Sequence, residues 1–160
     1  MRHMIGAGSA KLATDGAGEI FGEQKPLPAG FRDAFLEQAR LIKVPRKHII
    51  IYQGSDTTEV YLVRSGSVKI SLYSPNGREI IVRNMGPDTI FGELAAIDRL
   101  PRSANVTALE DCVLAIMRGE RFLEILGSVP QSGLWMCHAL ASQKAAPAEI
   151  PRSNAEPVEG

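Results

Sequence analysis

Apolar and polar positions alternate along most of the middle of the chain. Short runs rich in β-branched residues recur there, and turn residues such as Asn76-Gly77 separate them. The strand-like runs cover residues 41–44, 49–52, 59–63, 67–73, 79–83, 105–109 and 112–117. Asn76-Gly77 is a strong hairpin signal, because both residues tolerate the backbone of a tight turn. Short strands at this spacing predict an all-β sandwich or barrel.

Helical periodicity flanks this strand-rich region on both sides. Residues 29–40 place Phe31 and Phe35 on one stripe, which predicts a short helix packed under a sheet. The helical period returns at residues 121–126, and a second C-terminal helix is predicted from Pro130 toward residue 143. The predicted fold is therefore mainly β with flanking helices.

The two ends of the chain carry no periodic apolar pattern. Residues 1–24 are rich in Gly and Ala, and residues 145–160 form a tail rich in Pro, Ala and Glu. Such segments cannot bury enough apolar surface to offset the entropy of ordering, so both are predicted to be disordered. One domain is expected over residues 25–144.

The stretch at residues 90–108 combines a turn with candidate binding chemistry. A strand is predicted to end at Phe91, Gly92 supplies a turn, and a helix is predicted to begin at Glu93. The N–H groups of that first helical turn can donate to an anion. Arg102 can hold two phosphate oxygens in a fork, and the Ser103 hydroxyl can add a further contact. Glu93 would repel a phosphate, so a sugar hydroxyl is its expected partner. The alternative is an exposed salt bridge between Glu93 and Arg102.

A family resemblance rests on these residues. Phe91-Gly92-Glu93-Leu94-Ala95, followed after Pro101 by Arg102-Ser103-Ala104, resembles the phosphate-binding cassette of cyclic nucleotide-binding domains. Such domains occur in the regulatory subunit of cAMP-dependent kinase, in bacterial catabolite activators and in cyclic nucleotide-gated channels. Asn105 stands where the family usually has Thr or Ser, and Asp88-Thr89 stands where it usually has Gly-Asp.

The resemblance implies a fold, a ligand and contacts. The fold would be a β jelly roll, also called a double-stranded β-helix, with a short N-terminal helix and C-terminal helices. The ligand would be cAMP, or cGMP, without a metal, held partly by backbone groups of Gly92, Leu94 and Ala95. Binding would reposition the C-terminal helix, which often dimerises in related domains. A homodimer, or an effector domain in a larger protein, is therefore an expected partner.

Contacts to the base are less well defined by the sequence. Ile70 and Val82 lie on strands that face the base in related proteins. From the sequence alone they are interpreted as core positions, and both roles together stay open. His138 could cover the base, or it could simply be packed or partly exposed. Trp135 is expected to anchor the last helix in the core, with stacking on a purine as the alternative.

The amino-acid composition limits the classes of binding partner that are expected. Eighteen basic residues balance eighteen acidic ones and form no Lys/Arg-rich block, so this chain alone is not expected to bind a nucleic acid backbone. No apolar run is long enough to predict a membrane span, so no membrane partner is expected. Cys112 and Cys137 are interpreted as small buried hydrophobic residues in a reducing, cytoplasmic setting.

The sequence is compatible with other classes of function. The chain could be the sensor part of a transcription regulator whose winged helix lies elsewhere, or a jelly-roll domain that has lost its ligand. A metal-dependent jelly-roll enzyme would need clustered histidines, whereas His3, His48 and His138 are far apart in sequence. No catalytic triad, carboxylate pair or P-loop is recognisable, so we expect no enzyme.

Overall fold

The computed structural model describes the backbone of residues 24–145 and the side chains of residues 24–142. The predictions of disorder for residues 1–24 and 145–160 fall almost entirely outside this range and stay predictions. The helices are α1 (Ala29–Gln38), α2 (Glu93–Asp98), α3 (Gly119–Ser128) and α4 (Ser132–Ala145). The strands are β1 (Arg40–Val44), β2 (Ile49–Ile51), β3 (Val60–Ser65), β4 (Val68–Tyr73), β5 (Glu79–Met85), β6 (Ile90–Phe91), β7 (Asn105–Ala108) and β8 (Cys112–Met117).

The strands form two antiparallel sheets of four strands each. One sheet has the order β1-β8-β3-β6 and the other β2-β7-β4-β5. Neighbours that are distant in sequence, such as β1 with β8 and β2 with β7, are what a jelly roll requires. The predicted mainly β jelly roll is therefore confirmed. The predicted hairpin at Asn76-Gly77 joins β4 to β5, with Tyr73 opposite Glu79 and Gly77 at φ +84°.

Strand β3 is buried on both faces, which explains its unbroken apolar run. Val60 and Leu62 face a core under the helices, whereas Tyr61 and Val63 face a core between the sheets. Because successive side chains on a strand point to opposite faces, one strand contributes to both cores. The β1-β8-β3-β6 sheet thus lies between the helices and the second sheet.

The helices pack through aromatic side chains. Phe31 of α1 contacts Phe122 of α3 edge to face, with ring centroids 5.9 Å apart, and stacks on Trp135 of α4 at 6.2 Å. The Trp135 indole N–H donates to the backbone oxygen of Lys25. The prediction that Trp135 anchors the last helix in the core is confirmed, and Phe35 completes the predicted α1 stripe.

One prediction about this helical layer is wrong. Cys112 is buried in β8 as expected, but Cys137 of α4 is exposed. Trp135 and Met136 occupy the buried face of α4, and the next residue along the helix turns away from it. Within residues 24–145, none of the helices has the length and apolar character needed to cross a bilayer.

Candidate ligand-binding site

A cavity of about 400 Å³ lies between the β2-β7-β4-β5 sheet and residues 90–104. Apolar side chains of the sheet form one wall, and the segment that contains β6, α2 and Arg102 forms the other. A volume of this size falls in the range of about 300–1,000 Å³ usual for small-molecule sites. All of the sequence-predicted binding residues line it: Gly92, Glu93, Leu94, Ala95, Arg102, Ser103, Ile70 and Val82.

The turn between β6 and α2 requires glycine. Gly92 has φ +87°, a left-handed backbone conformation that residues with a Cβ adopt only with strain. A Cβ at this position would also lie 2.9 Å from the Glu59 carbonyl oxygen and 3.1 Å from Arg102 Nη1. The absence of a side chain therefore lets the turn pack directly against the arginine.

Two contacts fix the strand that leads into this turn. Phe91 stacks on Tyr61 of β3 with ring centroids 4.9 Å apart and planes 5° apart. The Gln24 side-chain amide donates to the backbone oxygen of Ile90 and accepts from its N–H, at 3.2 and 3.0 Å. Since β6 is an edge strand, Gln24 pairs backbone groups that no neighbouring strand could reach. Its contribution could not be read from the sequence.

Arg102 is held rigidly by the protein. Its Nε donates to Thr57 Oγ1 at 3.0 Å, Nη1 to the Gly92 oxygen at 2.8 Å and Nη2 to the Glu59 oxygen at 2.8 Å. Its backbone N–H donates to the Ser55 oxygen, and its own oxygen accepts from Gly54 N–H, each at 2.8 Å. A guanidinium carries more N–H groups than these three acceptors use, so donors remain for a ligand.

The electrostatics of Arg102 favour an anion beside it. The side chain is buried, and burial lowers the pKa of Arg102 from its ordinary value, whereas Tyr61, Glu59 and Glu93 act to raise it. A guanidinium nevertheless stays charged at neutral pH. A phosphate in the cavity would compensate a charge that has lost much of its hydration.

The other predicted ligand contacts differ in exposure. Glu93 is 5% exposed and lies in the first turn of α2, where a carboxylate is favoured by the helix dipole. Ala95 is buried, Leu94 is partly buried and Ser103 is exposed at the cavity. The roles assigned to these residues in ligand binding stay predictions, but the cavity brings them together with Arg102.

The wall formed by β4 and β5 contains a residue that sequence reasoning missed. Ile70 pairs with Arg83 and Ser71 pairs with Ile81, so Val82 is an extra residue in a β-bulge. The bulge breaks strict alternation, and the consecutive residues Val82 and Arg83 are both buried and both line the cavity. Period-2 alternation would have sent one of them to the opposite face. Ile70 packs against the core between the sheets and also lines the cavity, and its contact with a base stays a prediction.

Some candidate residues lie away from the cavity. His138 is exposed on α4 and is not among the lining residues, and Trp135 faces Phe31 instead. The Asn105 side chain accepts a hydrogen bond from Gln53 N–H at 2.6 Å, so it stabilises a loop. Within the described part of the chain, no three His, Cys, Asp or Glu side chains come close enough together to hold a metal ion.

Comparison with known proteins identifies the family. Residues 41–128 match the family model described as the cyclic nucleotide-binding domain. This match covers more than half of the chain and includes β6, α2 and Arg102. The chain belongs to the cyclic nucleotide-binding domain family.

Individual relatives agree with this assignment. A CRP-like cAMP-activated global transcriptional regulator of Mycobacterium tuberculosis is 35% identical over 78 residues, which are 49% of this chain and 35% of that protein. A cAMP-activated global transcriptional regulator of Haemophilus influenzae is 31% identical over 110 residues, covering 68% of this chain and 49% of that protein. The solved structure of the Thermus thermophilus catabolite activator protein superposes with a TM-score of 0.69 at 27% identity, over 82% of this chain and 61% of that one. The chain thus spans half or less of the length of these two regulators.

Proposed function

We propose that this domain is a sensor that binds a 3′,5′-cyclic purine nucleotide and acts by binding rather than by catalysis. The proposal rests above all on one observation: Arg102, anchored on three protein acceptors, lies in the wall of a cavity of ligand size together with Gly92 and Glu93. In this proposal Arg102, Ser103 and the first-turn N–H groups of α2 bind the cyclic phosphate, and Glu93 accepts from the ribose 2′-hydroxyl. The names of the bacterial relatives support cAMP as one such ligand.

Ligand binding would be transmitted through the helical core. Ile90 and Ala96, which flank the turn at Gly92, belong to the same buried cluster as Phe122 of α3 and Trp135 of α4. A ligand that pulls α2 toward the sheet would therefore change the surface on which α3 and α4 pack. Only a difference in ligand affinity between two positions of the last helix can shift that equilibrium. We propose that an effector region of the same protein, or a second copy of the chain, responds to this shift in the cytoplasm.

A thermal melt tests the proposal directly. Saturating cAMP or cGMP should stabilise the folded protein by about 2.7 kcal/mol at a hundredfold excess over the dissociation constant, because the ligand binds only the folded state. Differential scanning fluorimetry across a ligand titration measures this as a concentration-dependent rise in melting temperature.

A linear nucleotide is the matched control for this melt. 5′-AMP has the same base and sugar but an open phosphate monoester, so it should give little shift at the same concentration. A second control is 2′-deoxy-cAMP, which lacks the hydroxyl proposed to contact Glu93 and should stabilise less than cAMP. Unchanged melting curves with cAMP, cGMP and cyclic dinucleotides alike would contradict the sensor function.

A further inference from the structure

Two consecutive residues at the N-terminal end of the described range connect the cavity wall to the last helix. The Gln24 side-chain amide forms two hydrogen bonds with the backbone of Ile90. The backbone oxygen of the next residue, Lys25, accepts from the Trp135 indole N–H at 3.3 Å. Ile90 lines the cavity and lies two residues before Gly92, whereas Trp135 belongs to α4. One short segment therefore contacts both the binding turn and the helix that is expected to respond to it.

This segment, residues 24–28, is named here the N-terminal strap. Pro26 and Pro28 fix two of its φ angles, and a residue before a proline is restricted to an extended backbone, so Lys25 and Leu27 are restricted as well. Pro28 has φ −59° and ψ 137°, which is close to a polyproline conformation. Because such a segment is semi-rigid, a displacement at one of its residues is transmitted to the next instead of being absorbed.

The strap is attached to the helical layer at its C-terminal end. Leu27 packs against the core under the helices, and the backbone oxygen of Pro28 accepts from the N–H groups of Phe31 and Arg32 at the start of α1. Gln24 lies at the opposite end and is not among the residues that line the cavity. The strap can therefore turn about its attachment at α1 while its first two residues move.

Gln24 should follow any movement of Ile90. An amide carries both a donor and an acceptor, so one glutamine side chain pairs the N–H and the C=O of the same backbone residue. Ile90 is 1% exposed, and a buried backbone group that loses its partner is costly. The two bonds are therefore kept when the edge strand shifts, and Gln24 moves with it.

Resting on the function proposed above, we propose that the N-terminal strap couples the nucleotide cavity to α4. A cyclic nucleotide that shifts the turn at Gly92 also moves Ile90, and Gln24 follows. Lys25 then transmits the displacement to Trp135 through its hydrogen bond. This route is separate from the packing of α2 on the helical core. Gln24 is thus a positioning residue for the response of α4 and makes no contact with the ligand.

The indole N–H of Trp135 reports on this route. The chain has one tryptophan, so its indole group gives a single separate peak in a ¹⁵N–¹H correlation spectrum. The spectrum is recorded on the whole chain without ligand and at saturation with cAMP and with cGMP, and calorimetry establishes the saturating concentrations. In the wild type the ligand should shift the indole peak, because the hydrogen bond to Lys25 changes. A bound ligand that leaves this peak in place would overturn the proposal.

The Gln24→Ala variant disconnects the strap from β6. It should lose most of the indole shift at saturation, while the dissociation constant rises by no more than about tenfold because Gln24 does not line the cavity. Gln38→Ala is the matched control, since Gln38 is exposed at the end of α1, and it should keep the full shift. A full shift in Gln24→Ala would mean that the helical core alone carries the response, and the strap would have no such role.

A second variant tests the stiffness of the strap with both bonds of Gln24 in place. Pro26→Gly frees the backbone between the strap's two ends, so it should bind the ligand and show a smaller indole shift than the wild type. It decides the matter if Gln24→Ala cannot be saturated, and a shift equal to that of the wild type overturns the proposal. If neither nucleotide binds the wild-type protein at millimolar concentration, the sensor function fails as well.

Discussion

The Arg102→Ala variant should lose the rise in melting temperature that a cyclic nucleotide gives the wild-type protein. It should also lower the free energy of unfolding of the ligand-free protein by about 3 kcal/mol, because a buried carbonyl left without its donor costs about 1–3 kcal/mol. The substitution removes the donors to Gly92 O and Glu59 O at once. Chemical denaturation and the ligand melt measure the two effects separately.

An exposed arginine is the matched control for that substitution. Arg121 forms an ion pair with Glu124 on the surface of α3, with its side chain 55% exposed. Pairs of this kind contribute at most about 1 kcal/mol, so Arg121→Ala should melt close to the wild type and keep the full ligand shift. If Arg102→Ala kept its ligand shift as well, the phosphate could not be bound where we propose.

Gly92→Ala should have the second largest effect. A left-handed backbone costs a non-glycine residue about 1–2 kcal/mol, and here the new Cβ would also meet Glu59 O and Arg102 Nη1. Neither contact can be relieved cheaply, because one atom is backbone and the other belongs to an anchored side chain. We expect a loss of about 2–3 kcal/mol of stability and a dissociation constant raised at least about tenfold.

The Gly77→Ala variant is the control that measures backbone strain without a steric clash. Gly77 has φ +84°, close to that of Gly92, but a Cβ there would have no neighbour within 4 Å. Gly77→Ala should therefore show the conformational cost alone, about 1–2 kcal/mol, with unchanged ligand affinity. Equal losses of affinity in the two variants would mean that close packing of Gly92 against Arg102 is unimportant for binding.

Much of the site could be predicted from the sequence because its chemistry is local. Gly92, Glu93 and the start of α2 are consecutive, and Arg102 follows within the same short segment. A turn that needs glycine, a helix start and an arginine are each recognisable from residue type alone. The strands were predictable for a similar reason, since β-branched runs and turn residues mark them one by one.

What the sequence could not reveal depends on partners distant along the chain. Thr57 and Glu59 anchor Arg102 through a hydroxyl and a backbone oxygen. No sequence pattern at either residue predicts this role. Arg83 enters the cavity only because β5 contains a bulge relative to β4, a difference of register that alternation within one strand cannot encode. Cys137 was misplaced because α4 buries Trp135 and Met136 side by side.

The central claim is that the turn at Gly92 and Arg102 together form the phosphate site of a cyclic nucleotide pocket. A ¹⁵N–¹H correlation spectrum recorded during a titration with cGMP and with cAMP tests it most directly, because each backbone N–H reports on its own surroundings. The amides of Glu93, Leu94, Ala95 and Ser103 should shift saturably, while those of the remote turn at residues 45–48 stay in place. Spectra that do not change, or shifts that leave these four amides untouched, would contradict the claim.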